Sequence, residues 1–186
     1  MRVFFDFQLQ HIKAMSTDAW KRLAVAVLVI DGRDEDVPSS PNFPKASRNA
    51  REGGPRVLVG IRKCSQGSLA PLALPGGKVE ASLDASILHA AARELREETG
   101  LAFPPEAFAE RHTLETEEFV VKLVSVICPA DRISRVRNVE PEKHGPWHWR
   151  SWRELREERA ERIFAPLRAL LCEVDPSDFY QRADCG

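Results

Sequence analysis

The order of apolar and polar stretches along the chain predicts a set of strands. Long runs of aliphatic, mostly β-branched residues bounded by polar segments are typical of strands buried on both faces of a sheet. A shorter apolar run that ends at Pro75 predicts a short strand, and alternating tryptophans predict a last one. The predicted strands span residues 22–30, 56–61, 72–74, 119–128 and 147–152.

Two further stretches have the spacing of amphipathic helices. From Asp84 to Thr99, apolar residues recur every three or four positions, which places them on one helix face. Gly100 is suited to the left-handed conformation that ends a helix. Residues 154–171 have a second helical pattern, in which Pro166 is a candidate break. This order of elements predicts an α/β fold of the α+β type, with a mixed β-sheet between helices.

Residues 31–55 separate the first two predicted strands and are rich in Pro, Ser, Asn, Gly and charge. This composition predicts a long surface loop. Such a loop is uncommon inside a compact domain, so it is either an insertion or a functional segment, and we favour an insertion. The predicted organisation is an N-terminal extension (1–15), one domain (16–175) that contains the loop, and a C-terminal tail (176–186).

Composition narrows the possible functions. The chain of 186 residues is 43% hydrophobic and 30% charged, with a net charge of −1, so it has no overall attraction to nucleic acid polymers or anionic membranes. No apolar stretch approaches the ~20 residues needed to span a bilayer. The four cysteines form no CxxC pair, which favours a reduced, cytoplasmic location over a disulfide framework. Any phosphate binding therefore requires a local site.

The candidate local site combines a glycine pair with an acidic helix. Residues 74–80 (LPGGKVE) precede residues 93–101 (RELREETGL). Glu94, Glu97 and Glu98 are three and four positions apart, so their carboxylates share one helix face. An acidic face alone is often merely solvated. Like charges at this spacing nevertheless repel each other, and Mg²⁺, which takes carboxylate, water and phosphate oxygens, would reverse that repulsion.

Together, the glycine pair and the acidic helix resemble the Nudix box, G-x5-E-x7-R-E-U-x-E-E-x-G-U, where U is aliphatic. Residues 93–101 match its second half at every specified position. The resemblance implies a Nudix fold, with the box as loop–helix–loop. It also implies a Mg²⁺-dependent hydrolase, with Mn²⁺ as an alternative cofactor, that cuts a phosphoanhydride bond in a nucleoside diphosphate derivative.

The first half of the box departs from the pattern. Arg93 follows Gly77 by sixteen positions. In the pattern, the arginine follows the first glycine by two positions fewer. By strict count the early box glutamate falls on Leu83, and the nearest acid is Asp84. Asp84 either substitutes for that glutamate or caps the helix start, where a carboxylate favours exposed amides. Glu80 matches a further glutamate that is common after the glycine pair.

The resemblance implies catalytic roles for single residues. Glu94 and Glu98 would be the principal metal ligands, and Glu97 would be a further ligand or would orient the attacking water. Arg93 would hold the glutamates in place, and Gly77 would approach the metal through its backbone. Attack of water on phosphorus would release a monophosphate without a covalent enzyme intermediate.

Segments outside the box resemble eukaryotic MutT-homologue nucleotide diphosphatases, which act on purine nucleoside triphosphates, including modified ones. These segments are 57–63 (VLVGIRK), 138–143 (NVEPEK) and 164–168 (FAPLR). Glu140, in the second of them, is either an extra acid over the metal site or part of a solvated loop. The implied substrate-binding residues are Arg62, Lys63, Gly76, Gly77, Lys78, Phe164 and Leu167.

Three alternatives stay open at this point. The substrate is either a nucleoside triphosphate or another diphosphate derivative such as ADP-ribose or a dinucleotide polyphosphate. Ala165-Pro166 replaces a bulkier pair of the resembled group, which leaves the base preference open. A Nudix fold can also bind a nucleotide or protein without cutting it, although retention of three adjacent acids favours an enzyme. The likeness further suggests a homodimer.

Overall fold

The computed structural model describes residues 23–32, 55–63, 71–115 and 119–174. Its centre is a mixed seven-stranded sheet. The strands are β1 (Leu23–Asp31), β2 (Arg56–Arg62), β3 (Leu72–Ala73), β4 (Gly76–Lys78), β5 (Ala109–Glu115), β6 (Val120–Cys128) and β7 (His144–Ser151). The helices are α1 (Ile87–Thr99), α2 (Trp152–Glu157) and α3 (Ala165–Glu173), and single 3-10 turns lie at 105–107, 133–135 and 160–162.

Strand β1 lies in the middle of the sheet and explains the longest apolar run. It pairs with β6 in parallel along its full length, from Leu23 opposite Val120 to Asp31 opposite Cys128. Its side chains alternate between the two faces, and both faces are covered. A strand buried on both sides has no polar face, so its sequence shows no alternation.

The sheet splits between β1 and β2. The two strands pair only near one end, where Ile30 lies opposite Val57. The segment that contains β3 and β4 fills the gap, because β3 pairs with β2 and β4 pairs with β1. The glycine pair at 76–77 therefore lies inside the sheet and opposite the central strand, where its backbone position is fixed by ladder hydrogen bonds.

Helices cover both faces of the sheet. Helix α1 packs on one face through Ile87, Ala90, Ala91 and Leu95. Helices α2 and α3 pack on the other face, where Trp152 and Leu167 are each 1% exposed. The predicted mixed sheet between helices is confirmed. Among the described helices, none has the length and apolar character needed to cross a membrane.

Several predicted boundaries were wrong. Helix α1 begins at Ile87 and not at Asp84, because Ser86 is its N-cap and accepts a hydrogen bond from the His89 N–H. The predicted end at Gly100 is correct, since Gly100 adopts φ 72° and its N–H bonds to Arg96. Strands β4 and β5 were not predicted. Two of the three residues of β4 are glycines, which disfavour strands, and β5 is an edge strand with mostly polar side chains.

The predicted helix at 154–171 is two helices. Trp152 does not end a strand but begins α2, with Ser151 and Glu154 forming a capping box. The predicted break near Pro166 is confirmed, because the helical pattern is interrupted between Glu157 and Ala165. Pro166 lies in the first turn of α3, where its missing N–H has no helical partner to lose. The predicted extension 1–15, the tail 176–186 and nearly all of the loop 31–55 lie outside the described residues.

Replacing Gly76 with alanine should strain the joint between β4 and β1. Gly76 adopts φ +147°, and an added Cβ would lie 2.2 Å from the Val25 carbonyl oxygen. We expect the free energy of unfolding to fall by about 1–3 kcal/mol, measured by urea denaturation. Gly145→Ala is the matched control, because its nearest contact would be 3.1 Å from Ile61 Cβ. An equal loss in both variants would contradict the proposed strain.

Candidate metal and nucleotide site

The glycine pair and helix α1 meet directly. A Cβ built on Gly77 would lie 2.6 Å from the carboxylate atoms of Glu94, so a side chain at this position would displace that carboxylate. The neighbouring Gly76 N–H donates to Glu98 Oε2 at 3.0 Å. Two of the three predicted carboxylates therefore lie against the backbone of β4. The third, Glu97, is the most open of the three, with 43% of its side chain exposed.

Arg93 joins these carboxylates to the segment before the helix. Its guanidinium donates to Glu94 Oε1 at 2.9 Å and to Glu97 Oε2 at 3.2 Å. It also donates to the backbone carbonyl of Lys78 at 3.0 Å. Its strongest partner is Asp84, which accepts two hydrogen bonds at 2.9 and 2.8 Å and is the main cause of a raised Arg93 pKa. Two parallel bonds fix the plane of a guanidinium as well as its position.

The structure decides between the two interpretations of Asp84. Asp84 does not cap α1, so that alternative is wrong, and its side chain is only 1% exposed beside Arg93. Its second oxygen also accepts the Glu80 N–H at 2.8 Å. The segment between Gly77 and Arg93 is longer than the box pattern, and its additional residues lie in an exposed turn at 81–83, where Leu83 is 65% exposed. This turn lets an aspartate one position from the strict count of the box reach the arginine.

Glu98 is the most deeply buried of the box acids, with 4% of its side chain exposed. Besides the Gly76 N–H, it contacts His144 Nε2, which lies 2.9 Å from Glu98 Oε1. Trp147 Nε1 donates to the backbone carbonyl of Glu98 at 3.2 Å. Strand β7 therefore supports the last turn of α1 through two side chains that the sequence analysis did not select as site residues.

The residues present fit a divalent cation. Burial, opposed by the Arg93 charge, raises the pKa of Glu94 to about 7, and a cation beside this carboxylate would favour its ionised form. Ligand atoms of Glu98, Glu140 and His144 lie within 4.8 Å of one another. Carboxylate oxygens are the ligands that hard divalent ions prefer.

A largely apolar cleft lies on the other side of the glycine pair. The predicted residues Arg62, Gly76, Gly77, Lys78, Phe164 and Leu167 all line it, together with Phe119 and Pro166 among others. The Arg62 guanidinium lies 4.8 Å from the centre of the Phe164 ring, a cation–π contact. The cavity of about 170 Å³ is smaller than the ~300 Å³ expected for a whole drug-sized ligand, so it suits one part of a nucleotide.

Other predicted residues lie elsewhere. Lys63 does not line the cleft, and its ammonium donates to the Pro141 carbonyl at 2.5 Å. Glu140 lies near Glu98, as one of its two interpretations required, although one of its oxygens accepts Lys143 Nζ at 2.6 Å. That hydrogen bond is the main cause of a raised Lys143 pKa. Glu80 is exposed and contributes its backbone to the Asp84 turn.

Comparison with known proteins supports the assignment that this geometry suggests. Residues 48–171, more than half of the chain, match the family model described as the NUDIX domain. The fold resembles the MutT protein from Methanosarcina mazei Go1, with 19% identity, a TM-score of 0.56 and coverage of 88% of this chain and 99% of that one.

Two other solved structures share the fold. The NUDIX domain of Shewanella oneidensis NrtR, complexed with ADP ribose, has 14% identity, a TM-score of 0.56 and coverage of 87% of this chain and 92% of that one. A bifunctional NMN adenylyltransferase/ADP ribose pyrophosphatase from Francisella tularensis, complexed with AMP and a manganese ion, has 17% identity and a TM-score of 0.56. That match covers 92% of this chain but only 47% of the longer protein.

The matched family model, the fold and the intact second half of the box agree. The chain therefore belongs to the Nudix domain family, the metal-dependent hydrolases of nucleoside diphosphate derivatives.

Proposed function

We propose that the protein hydrolyses a purine nucleoside triphosphate, normal or modified, to the monophosphate and pyrophosphate, with Mg²⁺ as its cofactor. The observation that carries this proposal is the shared position of Gly76 and Gly77. Both line the apolar cleft, and both also contact box carboxylates, since Gly76 bonds Glu98 and Gly77 abuts Glu94. A substrate with a flat apolar end joined to a phosphate chain suits this arrangement.

The cleft is the proposed base site. Phe119, Phe164 and Leu167 offer apolar surface for a base, and aromatic rings favour stacking or edge contacts with flat ligands. Arg62 and Lys78 are the basic residues of the cleft lining. We assign them to the phosphate chain or to acceptor atoms of the base, and Lys63 to the support of the loop at 140–143.

The carboxylates of α1 are the proposed cation site. Glu94 and Glu98 would hold the ion, with Gly77 beside them and Mn²⁺ able to replace Mg²⁺. When bound, the ion neutralises phosphate charge and lowers the pKa of water that it coordinates. Glu97 is open to solvent and close to the same helix face, so we assign it to the attacking water. Arg93 keeps Glu94 and Glu97 in place and does not itself contact the phosphate.

A second candidate substrate is ADP-ribose or a dinucleotide polyphosphate. The Shewanella domain was solved with bound ADP ribose, and the Francisella protein is an ADP ribose pyrophosphatase. Their identities to this chain, 14% and 17%, support the likeness of fold alone. The cleft has room for one base, which each of these candidate substrates can supply. A binding module without activity would need no open carboxylate such as Glu97.

Hydrolysis should depend on Glu97. Purified protein with Mg²⁺ and a panel of purine triphosphates, ADP-ribose and dinucleotide polyphosphates should release a monophosphate from a triphosphate, resolved by chromatography. Glu97→Gln should lower kcat by at least ~100-fold, because it removes a group that acts on water. Glu157→Gln is the control, since Glu157 is exposed and its partner among the described residues is Arg153 on its own helix. Turnover of ADP-ribose alone would refute the proposed substrate, and full activity of Glu97→Gln would refute the mechanism.

Asp84→Asn should weaken the site without touching the substrate. It removes the charge that faces Arg93 and places an amide donor against a guanidinium. We expect a loss of about 1–3 kcal/mol in the free energy of unfolding and a lower kcat with little change in KM. Asp131→Asn is the matched control, because its pair with Arg135 is 67% exposed on both sides and should contribute less than ~1 kcal/mol. Equal effects in both variants would contradict a special role for Asp84.

The pKa of Glu94 predicts an unusual pH dependence of stability in EDTA. Burial raises the folded-state pKa from 4.5 to about 7, so the folded state holds this proton more tightly than the unfolded state. This contribution to stability is present below pH 4.5 and is lost as the pH rises to about 7. Relative to Glu94→Gln, the wild type should therefore lose Tm across this window. Parallel Tm curves for the two proteins would contradict the prediction.

A further inference from the structure

His144 begins strand β7 and is buried, with 8% of its side chain exposed. Its Nε2 lies 2.9 Å from Glu98 Oε1. An ionised carboxylate can only accept hydrogen bonds, so Nε2 carries the proton in this contact. Within the described part of the chain, Nδ1 has no hydrogen-bond partner. The ring therefore makes one directional contact, and that contact is to the box glutamate.

The strand holds this histidine in place from behind. Asn138 Nδ2 donates to the backbone carbonyls of His144 and Gly145, at 2.8 and 3.1 Å. The Trp147 ring lies 5.3 Å from the His144 ring, centre to centre, at 30°. Trp147 also bonds the backbone carbonyl of Glu98. The imidazole and the helix end are thus packed as one unit.

Glu98 has each carboxylate oxygen fixed from a different direction. Gly76 N–H holds Oε2, and His144 holds Oε1. We propose that His144 is a positioning residue that orients the Glu98 carboxylate for the cation. The inference rests on the proposed function only in taking Glu98 as a metal ligand. A partner that orients a ligand in this way typically changes metal affinity by about 10–100-fold when removed.

Cation binding without substrate tests this role. Mn²⁺ is titrated into the full-length protein, and free Mn²⁺ is followed by electron paramagnetic resonance. Three variants are compared with the wild type: His144→Asn, His144→Gln and His148→Asn. A glutamine amide can place a donor near the Nε2 position, whereas the shorter asparagine amide reaches only the Nδ1 position. His148 is exposed on the same strand, so it controls for the loss of a histidine.

We expect His144→Asn to raise the Kd for Mn²⁺ by about 10–100-fold, and His144→Gln to stay within about threefold of the wild type. His148→Asn should bind as the wild type does. An unchanged Kd in His144→Asn would overturn the proposal. Equal weakening by asparagine and glutamine would also overturn it, as would loss of folding in both variants, because either result assigns His144 to packing.

The result is separable from the proposed substrate. If the wild type cuts no nucleotide of the panel but binds Mn²⁺ in a His144-dependent way, the proposed function fails and the role of His144 stands. If the wild type binds no Mn²⁺, the role of His144 falls. In a protein that does cut a triphosphate, His144→Asn should lower kcat more than it raises KM, and His144→Gln should restore kcat.

Discussion

The site depends on one guanidinium that lies among carboxylates. Arg93 bonds Asp84, Glu94 and Glu97 at once, and it also reaches the backbone of β4 at Lys78. These contacts connect the turn before the helix, the helix and the strand. Asp84 is buried, and a buried charge is tolerated only when it is paired and hydrogen-bonded. Loss of the arginine would therefore leave a buried aspartate and two crowded glutamates without compensation.

The arginine does not satisfy the whole cluster. It meets the carboxylates on the side of Asp84, whereas Glu98 bonds instead to a backbone N–H and to His144. Glu94 lies between these two groups, and burial keeps its pKa well above the ordinary value despite the neighbouring guanidinium. The Glu94 carboxylate lies beside Gly77. The same feature that destabilises Glu94 in the metal-free protein favours a cation at that position.

Local patterns in the sequence were sufficient for the strands of the core and for the acidic helix. Strand β1 is an unbroken apolar run because both of its faces are covered, and α1 keeps its apolar stripe on one face. The same reasoning failed where tertiary contacts override propensity. β4 contains two glycines, which disfavour strands, yet it pairs with β1 because the split in the sheet offers it a partner. Strand β5 is mostly polar, and it forms because one of its edges pairs with β6.

The candidate site was predictable where its residues are close in sequence. Three acids on one face of a helix can be read from spacing alone, and so can an arginine beside them. The sequence did not decide whether Asp84 replaces the box glutamate or caps the helix, because its contact with Arg93 depends on the path of an irregular turn. No spacing rule singles out His144 itself, because its partner Glu98 lies 46 positions earlier in the chain. An Asn-Val-Glu-Pro-Glu-Lys segment directly before it was the available signal.

The position of the glycine pair links these local facts to the choice of substrate. Because Gly76 and Gly77 have no side chains, one short strand can face both an apolar cleft and a carboxylate cluster. In the proposed function, the distance between base and reacting phosphate would be set by the backbone of β4, which is itself paired with β1. A scaffold of ladder hydrogen bonds is more rigid than a loop. Under the proposed function, selection among nucleotides would therefore depend on the length of the phosphate chain as well as on the identity of the base.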